Sequence, residues 1–245
     1  MKTVFITGAN KSIGFEAAKQ LLQKGYYVYL GARDSKKGEA AVSQLKAEGL
    51  TEVEFIEIDV NSAASVKMAR EVLGQKTKVL DVLINNAGVL GSMPQTSLTA
   101  TTSVFKEVFE TNFFGVIEVT QAFIDLLQQS AEPRIVNVTS GLGSLTLHSD
   151  PDWKYYHAKA ASYVSSKTAL NAYTVILAYD LRDTPFKVNA VDPGYVATDF
   201  NNHSGPGTAQ EGAGRVVKAA LLGADGPTGQ FFSEDSDSET GISPW

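Results

Sequence analysis

The sequence contains no cysteine. Disulfides, thiolate zinc sites and cysteine nucleophiles are therefore excluded, and the composition agrees with a reducing compartment. Positive charge is also scarce, because 21 Lys and Arg face 27 Asp and Glu, which gives a formal net charge of −6. A nucleic-acid-binding protein would show a basic surplus. We therefore expect no nucleic-acid partner.

Long apolar runs are missing as well. The first residues, MKTVFITG, hold only three consecutive apolar residues, too few for the core of a signal peptide. No stretch approaches the ~20 apolar residues that a membrane-spanning helix needs. We therefore expect a cytoplasmic protein with no membrane partner. The acidic run Glu234–Glu239 is interpreted as a solvated segment. No histidine lies at metal-ligand spacing, so no metal site is predicted.

Short apolar runs alternate along the chain with segments of helical periodicity. The candidate strands are Val4–Thr7, Tyr26–Leu30, Val53–Ile58, Val79–Ile84, Arg134–Thr139, Phe186–Val191 and Gln230–Phe232. The candidate helices are Phe15–Lys24, Lys36–Glu48, Phe105–Gln129 and Ser162–Arg182. Nearly continuous apolar strands are typical of parallel sheets, and alternation with helices indicates βαβ units. The sequence predicts an α/β fold with a doubly wound, mostly parallel, seven-stranded sheet of the Rossmann type, in a single domain over residues 1–245.

A glycine-rich turn, TGANKSIG at residues 7–14, lies between the first strand and the first helix. Such a turn lets backbone N–H groups and a helix N-terminus approach a pyrophosphate. Three further segments follow strands at the same edge of the sheet, and together they predict a dinucleotide cleft. The cofactor-binding candidates from these four segments are Gly8, Asn10, Lys11, Ser12, Ile13, Gly14, Asp59, Val60, Asn86, Ala87, Gly88, Pro193 and Gly194.

Four polar residues in the second half of the chain are candidates for catalysis. Tyr163 and Lys167 lie four residues apart in a predicted helix, hence on one face. A free tyrosine has a pKa of ~10, and a nearby ammonium favours the phenolate. Ser140 ends the fifth candidate strand, and Asn112 lies within the preceding long helix. These residues predict acid–base chemistry beside the dinucleotide cleft.

The ensemble of motifs resembles the short-chain dehydrogenase/reductase family in its one-domain form. The matching segments, in the family's order, are TGANKSIG, NNAG, TNFFG around Asn112, IVNVTS ending at Ser140, YVSSK and DPGYVAT. The resemblance covers the whole chain, and LGARDSKKG and GPTGQFFSE look most similar to NADPH-dependent carbonyl reductases. It implies hydride transfer between NADP(H) and a small-molecule carbonyl or alcohol substrate.

The resemblance also implies a role for each candidate. Tyr163 would protonate the developing alkoxide, and Ser140 would hold the substrate oxygen. Lys167 would lower the pKa of Tyr163, and both residues would count among the cofactor contacts at the nicotinamide ribose. Asn112 would hold a water that links Lys167 to solvent. Two more cofactor contacts, Val196 and Thr198, would fix the nicotinamide carboxamide.

The charge at the end of the second strand predicts NADP(H) in preference to NAD(H). NAD-specific folds place an acidic residue there, whereas NADP users bring an arginine to the 2′-phosphate. In the family alignment Ala32 occupies the acidic position, and the cofactor candidate Arg33 follows at once. Lys11 is expected to project toward the same place. Asp34, the contrary sign, is expected to cap the following helix.

Two features depart from the family pattern. Ser12 stands where the family has its second turn glycine, and 23 residues separate Ser140 from Tyr163, more than is usual. The extra residues, Ser149–Ala160, include WKYYH and could form a substrate-side wall or only a packed surface loop. We expect the substrate pocket to be lined by Leu142, Gly143, Trp153, Tyr195 and the loop 199–207, and hence to accept an apolar carbonyl compound.

Two other functions stay open at this point. A dinucleotide-sensing regulator would keep the fold without the four catalytic candidates. An epimerase or dehydratase of the related long-chain branch would have a larger substrate domain than the 47 residues after Thr198. The insertion credited with keeping monomeric relatives apart is absent, so helices 105–129 and 162–182 predict a homodimer, or a homotetramer with a second interface. Phe113, Phe114 and Tyr173 are expected in the core.

Overall fold

Strands and helices alternate along the described residues, which are 1–233 and 240–245 of a computed structural model. The acidic run Glu234–Glu239 lies outside the described residues. The strands are β1 (Thr3–Ile6), β2 (Tyr27–Ala32), β3 (Val53–Glu57), β4 (Val82–Asn85), β5 (Arg134–Val138), β6 (Lys187–Val191) and β7 (Phe231–Phe232). The α-helices are α1 (Ser12–Gln23), α2 (Ser35–Ala47), α3 (Ala63–Lys76), α4 (Thr102–Phe109), α5 (Gly115–Leu127), α6 (Leu145–His148), α7 (Ala161–Asp180) and α8 (Ala209–Ala220).

The strands form one seven-stranded sheet in the order β3-β2-β1-β4-β5-β6-β7. Every neighbouring pair is parallel. The chain winds outward from β1 to β3, returns to β4 beside β1, and then winds outward the other way. This confirms the predicted doubly wound α/β fold of the Rossmann type. Ligands of such sheets bind beyond the carboxyl ends of the strands, at the switch point between β1 and β4.

A hydrophobic core lies on each face of the sheet. Side chains alternate along β1, so Val4 and Ile6 belong to the core that includes α1, α2 and α8. Phe5 points to the opposite face and stacks on Phe123 of α5, with ring centroids 4.8 Å apart. Both cores hold the strand ends rigidly, which fixes the positions of the turns that follow them.

The predicted helix Phe105–Gln129 is divided in the structure. It consists of α4, a π-helical turn at Glu110–Phe114, and α5. A π turn carries one extra residue per turn, and such turns occur frequently at functional sites. The turn contains Asn112, whose side chain is fully buried. No periodicity in the sequence indicates the extra residue, because the apolar side chains continue on both sides of it.

Three of the α-helices in the described residues, α3, the single turn α6 and α8, have no counterpart among the candidates from the sequence. Helix α3 buries only Val66, Ala69 and Leu73, a narrow apolar stripe. Helix α8 buries mainly glycine, alanine and valine, so small residues hide its periodicity. The candidate strand Val79–Ile84 also begins too early, because Leu80 donates its N–H to the Leu126 carbonyl rather than to a strand. Within the part of the chain that the structure describes, no helix is long and apolar enough to span a bilayer.

Candidate active site

The glycine-rich turn after β1 is locked against the turn after β4. Thr7 Oγ1 accepts the N–H groups of Asn86 and Ala87 at 3.0 and 3.1 Å. Asn86 Nδ2 donates to the carbonyls of Thr7 and Gly8 at 2.9 and 3.0 Å. Gly8 has a φ of 64°, and a Cβ on Gly14 would stand 2.5 Å from Asn86 Nδ2. Glycine is therefore required at both positions to bring the two turns together.

The residues at this edge fit a dinucleotide. A Cβ on Gly88 would stand 3.4 Å from Asn112 Oδ1 and 3.7 Å from Lys167 Nζ, so glycine keeps open the space beside these polar atoms. The N-terminus of α1 faces the turn that precedes it, where an anion is favoured. Gly194, with a φ of 82°, turns the chain after β6 at the same edge. Together these features provide a cradle of main chain without projecting side chains.

The remaining cofactor candidates at this edge differ in orientation. Val196 and Thr198 are buried, 3% and 4% exposed. Asp59 Oδ1 accepts the N–H of Asn61 at 3.1 Å, so this carboxylate is held in its own turn. Ile13 is half-buried and packs against the core that includes α1, α2 and α8. The structure thus brings these segments to one edge, with some side chains facing inward.

Ser12 adopts a left-handed backbone conformation, and Lys11 does not lie where the sequence predicts. Ser12 has a φ of 52°, which explains the glycine of the family pattern, because side chains disfavour this left-handed region. Lys11 Nζ lies 3.0 Å from Asp199 Oδ2. The side chain of Lys11 therefore crosses toward the segment after Thr198. The prediction that Lys11 projects toward the end of β2 is wrong in this structure.

At the end of β2, Arg33 is exposed and Asp34 is turned away from it. Asp34 Oδ1 accepts the N–H of Lys37 at 3.1 Å and so caps α2. This confirms the expected capping role. The acidic side chain is thereby committed to the helix, and Arg33 follows Ala32 directly at the place where a ribose would lie.

Tyr163 and Ser140 are brought together from α7 and the end of β5. Tyr163 is only 8% exposed, and burial raises the pKa of its phenol above the usual value, because the charged form is poorly solvated. The nearby Ser140 hydroxyl lowers the same pKa, and the charge of Asp192 raises it. Ser140 Oγ also accepts the N–H of Leu142 at 3.2 Å. The phenol is therefore a protonated group held next to a hydroxyl.

Lys167 lies one helical turn after Tyr163 and is 4% exposed. Its Nζ donates to the Val138 carbonyl at 2.8 Å and lies 5.8 Å from the centroid of the Tyr163 ring. Burial lowers the pKa of Lys167 to about 8. Burial has the largest effect on the pKa of Tyr163, so the lowering of that pKa by the Lys167 ammonium stays a prediction.

Asn112 joins two parts of the site. Its Nδ2 donates to the Val89 carbonyl at 2.9 Å and to Ser166 Oγ at 3.0 Å. Its Oδ1 accepts the Val89 N–H at 2.8 Å. The amide thus connects the segment after Gly88 to the catalytic helix α7.

Two of the extra residues between Ser140 and Tyr163 pack with a tyrosine that follows β6, and we call the cluster of Trp153, Tyr155 and Tyr195 the aromatic wall. Neighbouring rings lie edge to face, with centroids 5.5 Å apart between Trp153 and Tyr155 and 5.9 Å between Tyr155 and Tyr195. Trp153 is buried, whereas Tyr195 is 42% exposed. Such packing is compatible with both alternatives for the insertion, and its role as a substrate-side wall stays a prediction.

Phe200 faces the catalytic tyrosine and was not singled out from the sequence. Its ring centroid lies 5.6 Å from that of Tyr163, and its side chain is partly exposed. It belongs to the expected loop 199–207, but nothing in the sequence distinguishes it from the other loop residues. An apolar side chain thus stands beside the phenol.

Two pocket-lining predictions have different outcomes. Leu142 is half-buried beside Ser140. Gly143 is buried against α7, where a Cβ would stand 3.0 Å from the Lys167 carbonyl carbon and 3.1 Å from Asn171 Nδ2. Gly143 therefore packs the loop onto the helix and does not line the pocket as predicted.

Asp192 is a buried carboxylate that the sequence analysis did not assign. Its Oδ2 accepts from Ser233 Oγ at 2.7 Å, and its Oδ1 accepts from the Gly194 N–H at 2.9 Å. Its negative charge raises the pKa of Lys167 against the effect of burial. Asp192 therefore favours the charged form of the lysine. Across residues 1–233 and 240–245, no group of three or more His, Asp or Glu could hold a metal ion.

Comparisons with known proteins find relatives that match most of the chain. A family model described as short chain dehydrogenase matches residues 2–208. The (+)-neomenthol dehydrogenase of Capsicum annuum is 33% identical over 93% of this chain and 94% of its own length. The structure of salutaridine reductase from Papaver somniferum is 33% identical, with a TM-score of 0.83, and covers 96% of this chain and 100% of its own. The NADPH-bound carbonyl reductase from chicken fatty liver is 27% identical, with a TM-score of 0.86, over 100% of this chain and 99% of its own.

Proposed function

The chain belongs to the short-chain dehydrogenase family, and on that premise we propose that it reduces an apolar ketone or aldehyde with NADPH and oxidises the alcohol in reverse. The chain is an oxidoreductase of the short-chain type. One observation carries the proposal. The Ser140 hydroxyl lies close enough to the buried Tyr163 phenol to lower its pKa, and Lys167 lies beside the open space at Gly88.

The mechanism follows from the state of each side chain. When bound, the nicotinamide supplies the hydride. The Ser140 hydroxyl donates to the substrate oxygen and stabilises its growing negative charge. The Tyr163 phenol is protonated at neutral pH and gives its proton to the same oxygen. The Lys167 ammonium, protonated below about pH 8, stabilises the phenolate that remains. Asn112 joins α7 to the segment after Gly88 and so helps to fix the positions of Tyr163 and Lys167 on that helix.

We propose that NADP(H) is preferred over NAD(H). Arg33 is exposed at the end of β2, where it can reach a 2′-phosphate. Asp34, the one nearby carboxylate in sequence, is held as the cap of α2, which supports Arg33 rather than Asp34 as the residue that faces the ribose. The chicken carbonyl reductase is described with NADPH bound, which supports the same choice.

The proposed substrate is an apolar carbonyl compound. The partly exposed ring of Phe200 lies next to the phenol of Tyr163, and the aromatic wall adds the exposed ring of Tyr195. Aromatic rings favour the burial of apolar ligand surface. Two relatives are named for neomenthol and salutaridine, so both compounds are useful probes.

The test is consumption of NADPH, followed by absorbance, with a panel of ketones, aldehydes, quinones and sugars, and with neomenthol and NADP⁺ in reverse. We expect turnover with apolar ketones or aldehydes and equimolar formation of the alcohol. Tight NADPH binding without turnover of any carbonyl compound would instead favour a dinucleotide-sensing regulator. An unchanged redox state with altered sugar stereochemistry would favour an epimerase.

We further propose a homodimer through the π-helical turn and α7. Phe114 is 48% exposed, contrary to the expectation that it lies in the core, and Ile176 and Tyr179 are 59% and 63% exposed. Phe113 and Tyr173 are only half-buried and contact each other edge to face. Burial of such a face stabilises a symmetric pair. Light scattering at micromolar concentration should give about twice the 26.2 kDa of one chain, and a 26.2 kDa species would contradict the proposal.

A further inference from the structure

Helix α7 carries the catalytic residues but has no cap of its own. Its N-cap residue is Ala160, which offers no side-chain acceptor. The first N–H groups of a helix have no partner within the helix. In α7 the N–H groups of the first three residues, Ala161, Ser162 and Tyr163, all donate to one residue that is distant in sequence, Gln95. Its backbone carbonyl accepts from Ala161 N–H at 3.0 Å, and its Oε1 accepts from the N–H groups of Ser162 and Tyr163 at 3.1 and 3.3 Å.

The side chain of Gln95 is buried and fully engaged. It is 2% exposed, and its Oε1 also accepts the Ser162 hydroxyl at 2.6 Å. At the other end, Nε2 donates to the Leu90 carbonyl at 2.7 Å. A Cβ on Gly91 would stand 2.9 Å from this nitrogen. The local chain is therefore shaped to hold an amide that has both a donor and an acceptor.

This amide joins the two halves of the site. Leu90 follows the NNAG segment at the cofactor edge by two residues, and Tyr163 is the proton donor. Asn112 connects Val89 to Ser166, one turn further along the same helix. The catalytic turn of α7 is thus attached at both ends to one segment, residues 89–95. The peptide N–H of Tyr163 itself is one of the groups held.

We propose that Gln95 is a positioning residue for Tyr163. It fixes the position of the first turn of α7 relative to the segment that follows NNAG. The Tyr163 phenol and the Ser140 hydroxyl can then both reach the substrate oxygen. The proposal rests on the reductase function proposed above, because it concerns the geometry of that reaction. A cap alone would need only the acceptor oxygen, whereas a positioning link needs the bond to Leu90 as well.

The central variant is Gln95→Met, which keeps the volume but removes donor and acceptor. We expect kcat to fall about 10- to 100-fold, since misplacement of a reacting group by about 1 Å costs up to ~10²-fold. The Kd for NADPH should stay within twofold, because the cofactor turn is untouched. Ser62→Ala is the matched control: it removes the cap of α3, whose Ser62 Oγ accepts from Ser65 N–H, and should lower Tm without changing kcat.

A second variant separates capping from positioning. Adding Ala160→Ser to Gln95→Met supplies a local cap to α7 but not the link to Leu90. We expect Tm to recover while kcat stays low. Recovery of both Tm and kcat would overturn the proposal and leave Gln95 as a helix cap only. An unchanged kcat in Gln95→Met alone would also overturn it.

A readout independent of turnover distinguishes this proposal from the proposed function. ¹⁹F NMR of the protein labelled with 3-fluorotyrosine reports the surroundings of Tyr163, with Tyr163→Phe identifying its signal. We expect Gln95→Met to shift that signal and Gln95→Met with Ala160→Ser not to restore it. A restored signal contradicts the positioning role. If the wild-type protein reduces no carbonyl compound but the shift persists, the reductase function fails and the structural link stands.

Discussion

The cofactor half of the site is built mainly from main chain, whereas the substrate half is built from side chains. At the cofactor edge, Gly8, Gly14 and Gly88 are positions where a Cβ would fill the space or meet a neighbour, and Thr7 and Asn86 lock the turns together. On the substrate side, rings and hydroxyls converge from β5, the insertion, α7 and the segment after β6. We therefore expect the cofactor half of the site to tolerate little added side-chain volume. In the substrate half, we expect activity to depend on individual functional groups such as the Tyr163 phenol.

The largest effect is expected in the substrate half. Tyr163→Phe keeps the ring but removes the proton, and general acid–base catalysis contributes ~10²–10⁴-fold. We expect kcat with saturating ketone to fall by that factor, while NADPH affinity stays within twofold. Tyr156→Phe, which removes a hydroxyl from the insertion, is the control and should leave kcat unchanged. Turnover by Tyr163→Phe within twofold of wild type would remove Tyr163 from its role.

The next largest effect is expected at Arg33. This residue is an exception in the cofactor half, because there a side chain rather than the main chain is proposed to bind the cofactor. A charge-assisted contact to phosphate contributes ~1.5–3 kcal/mol. Since each ~1.4 kcal/mol is tenfold, Arg33→Leu should lower kcat/KM for NADPH roughly 10- to 150-fold and leave that for NADH nearly constant. Adding Ala32→Asp should weaken NADPH further through repulsion. Lys67→Leu, an exposed lysine on α3, controls for the loss of net charge, and an unchanged NADPH to NADH ratio in Arg33→Leu would refute the assignment.

A smaller effect should come from filling the main-chain cradle. In Gly88→Ala the new Cβ meets protein atoms only at 3.4 Å and beyond, which is ordinary contact, so the fold should persist. The methyl group occupies space beside Lys167, and we expect NADPH affinity to fall by roughly tenfold, or ~1.4 kcal/mol, with Tm nearly constant. Gly223→Ala is matched, because a Cβ there meets nothing within 4 Å. Equal Kd values for the two variants would show that the space at Gly88 is not used.

The smallest effect concerns backbone strain in the glycine-rich turn after β1. Ser12 has a φ of 52°, and a residue held in this region costs on the order of 1–3 kcal/mol. Glycine relieves the strain but gains freedom in the unfolded chain, which offsets ~0.4–1 kcal/mol. We expect Ser12→Gly to stabilise the protein by about 1 kcal/mol in urea unfolding. Ser12→Ala keeps the Cβ and should give no gain; a gain from alanine as large as that from glycine would disprove strain at Ser12.

A similar contrast separates the features that could be predicted from the sequence from those that could not. The fold, the glycine turn and the four catalytic candidates follow from short motifs and strand–helix alternation, which depend on neighbours along the chain. Asp34 as a helix cap was predictable for the same reason. Lys11, Gly143, Phe200 and Gln95 owe their positions to partners far away in sequence, and no local pattern carries that information. The π turn at Asn112 inserts one residue without altering composition, so it too escapes a periodicity argument.

The central claim is that the two halves can be disabled separately, and a double-mutant cycle tests it most directly. NADPH Kd, from fluorescence titration, and kcat at saturating NADPH and ketone are measured for wild type, Tyr163→Phe, Arg33→Leu and the double variant. We expect Arg33→Leu to change only Kd and Tyr163→Phe to change only kcat, with free energies that add within ~0.5 kcal/mol. Loss of NADPH binding in Tyr163→Phe as large as in Arg33→Leu, or a full kcat in Tyr163→Phe, would contradict the account.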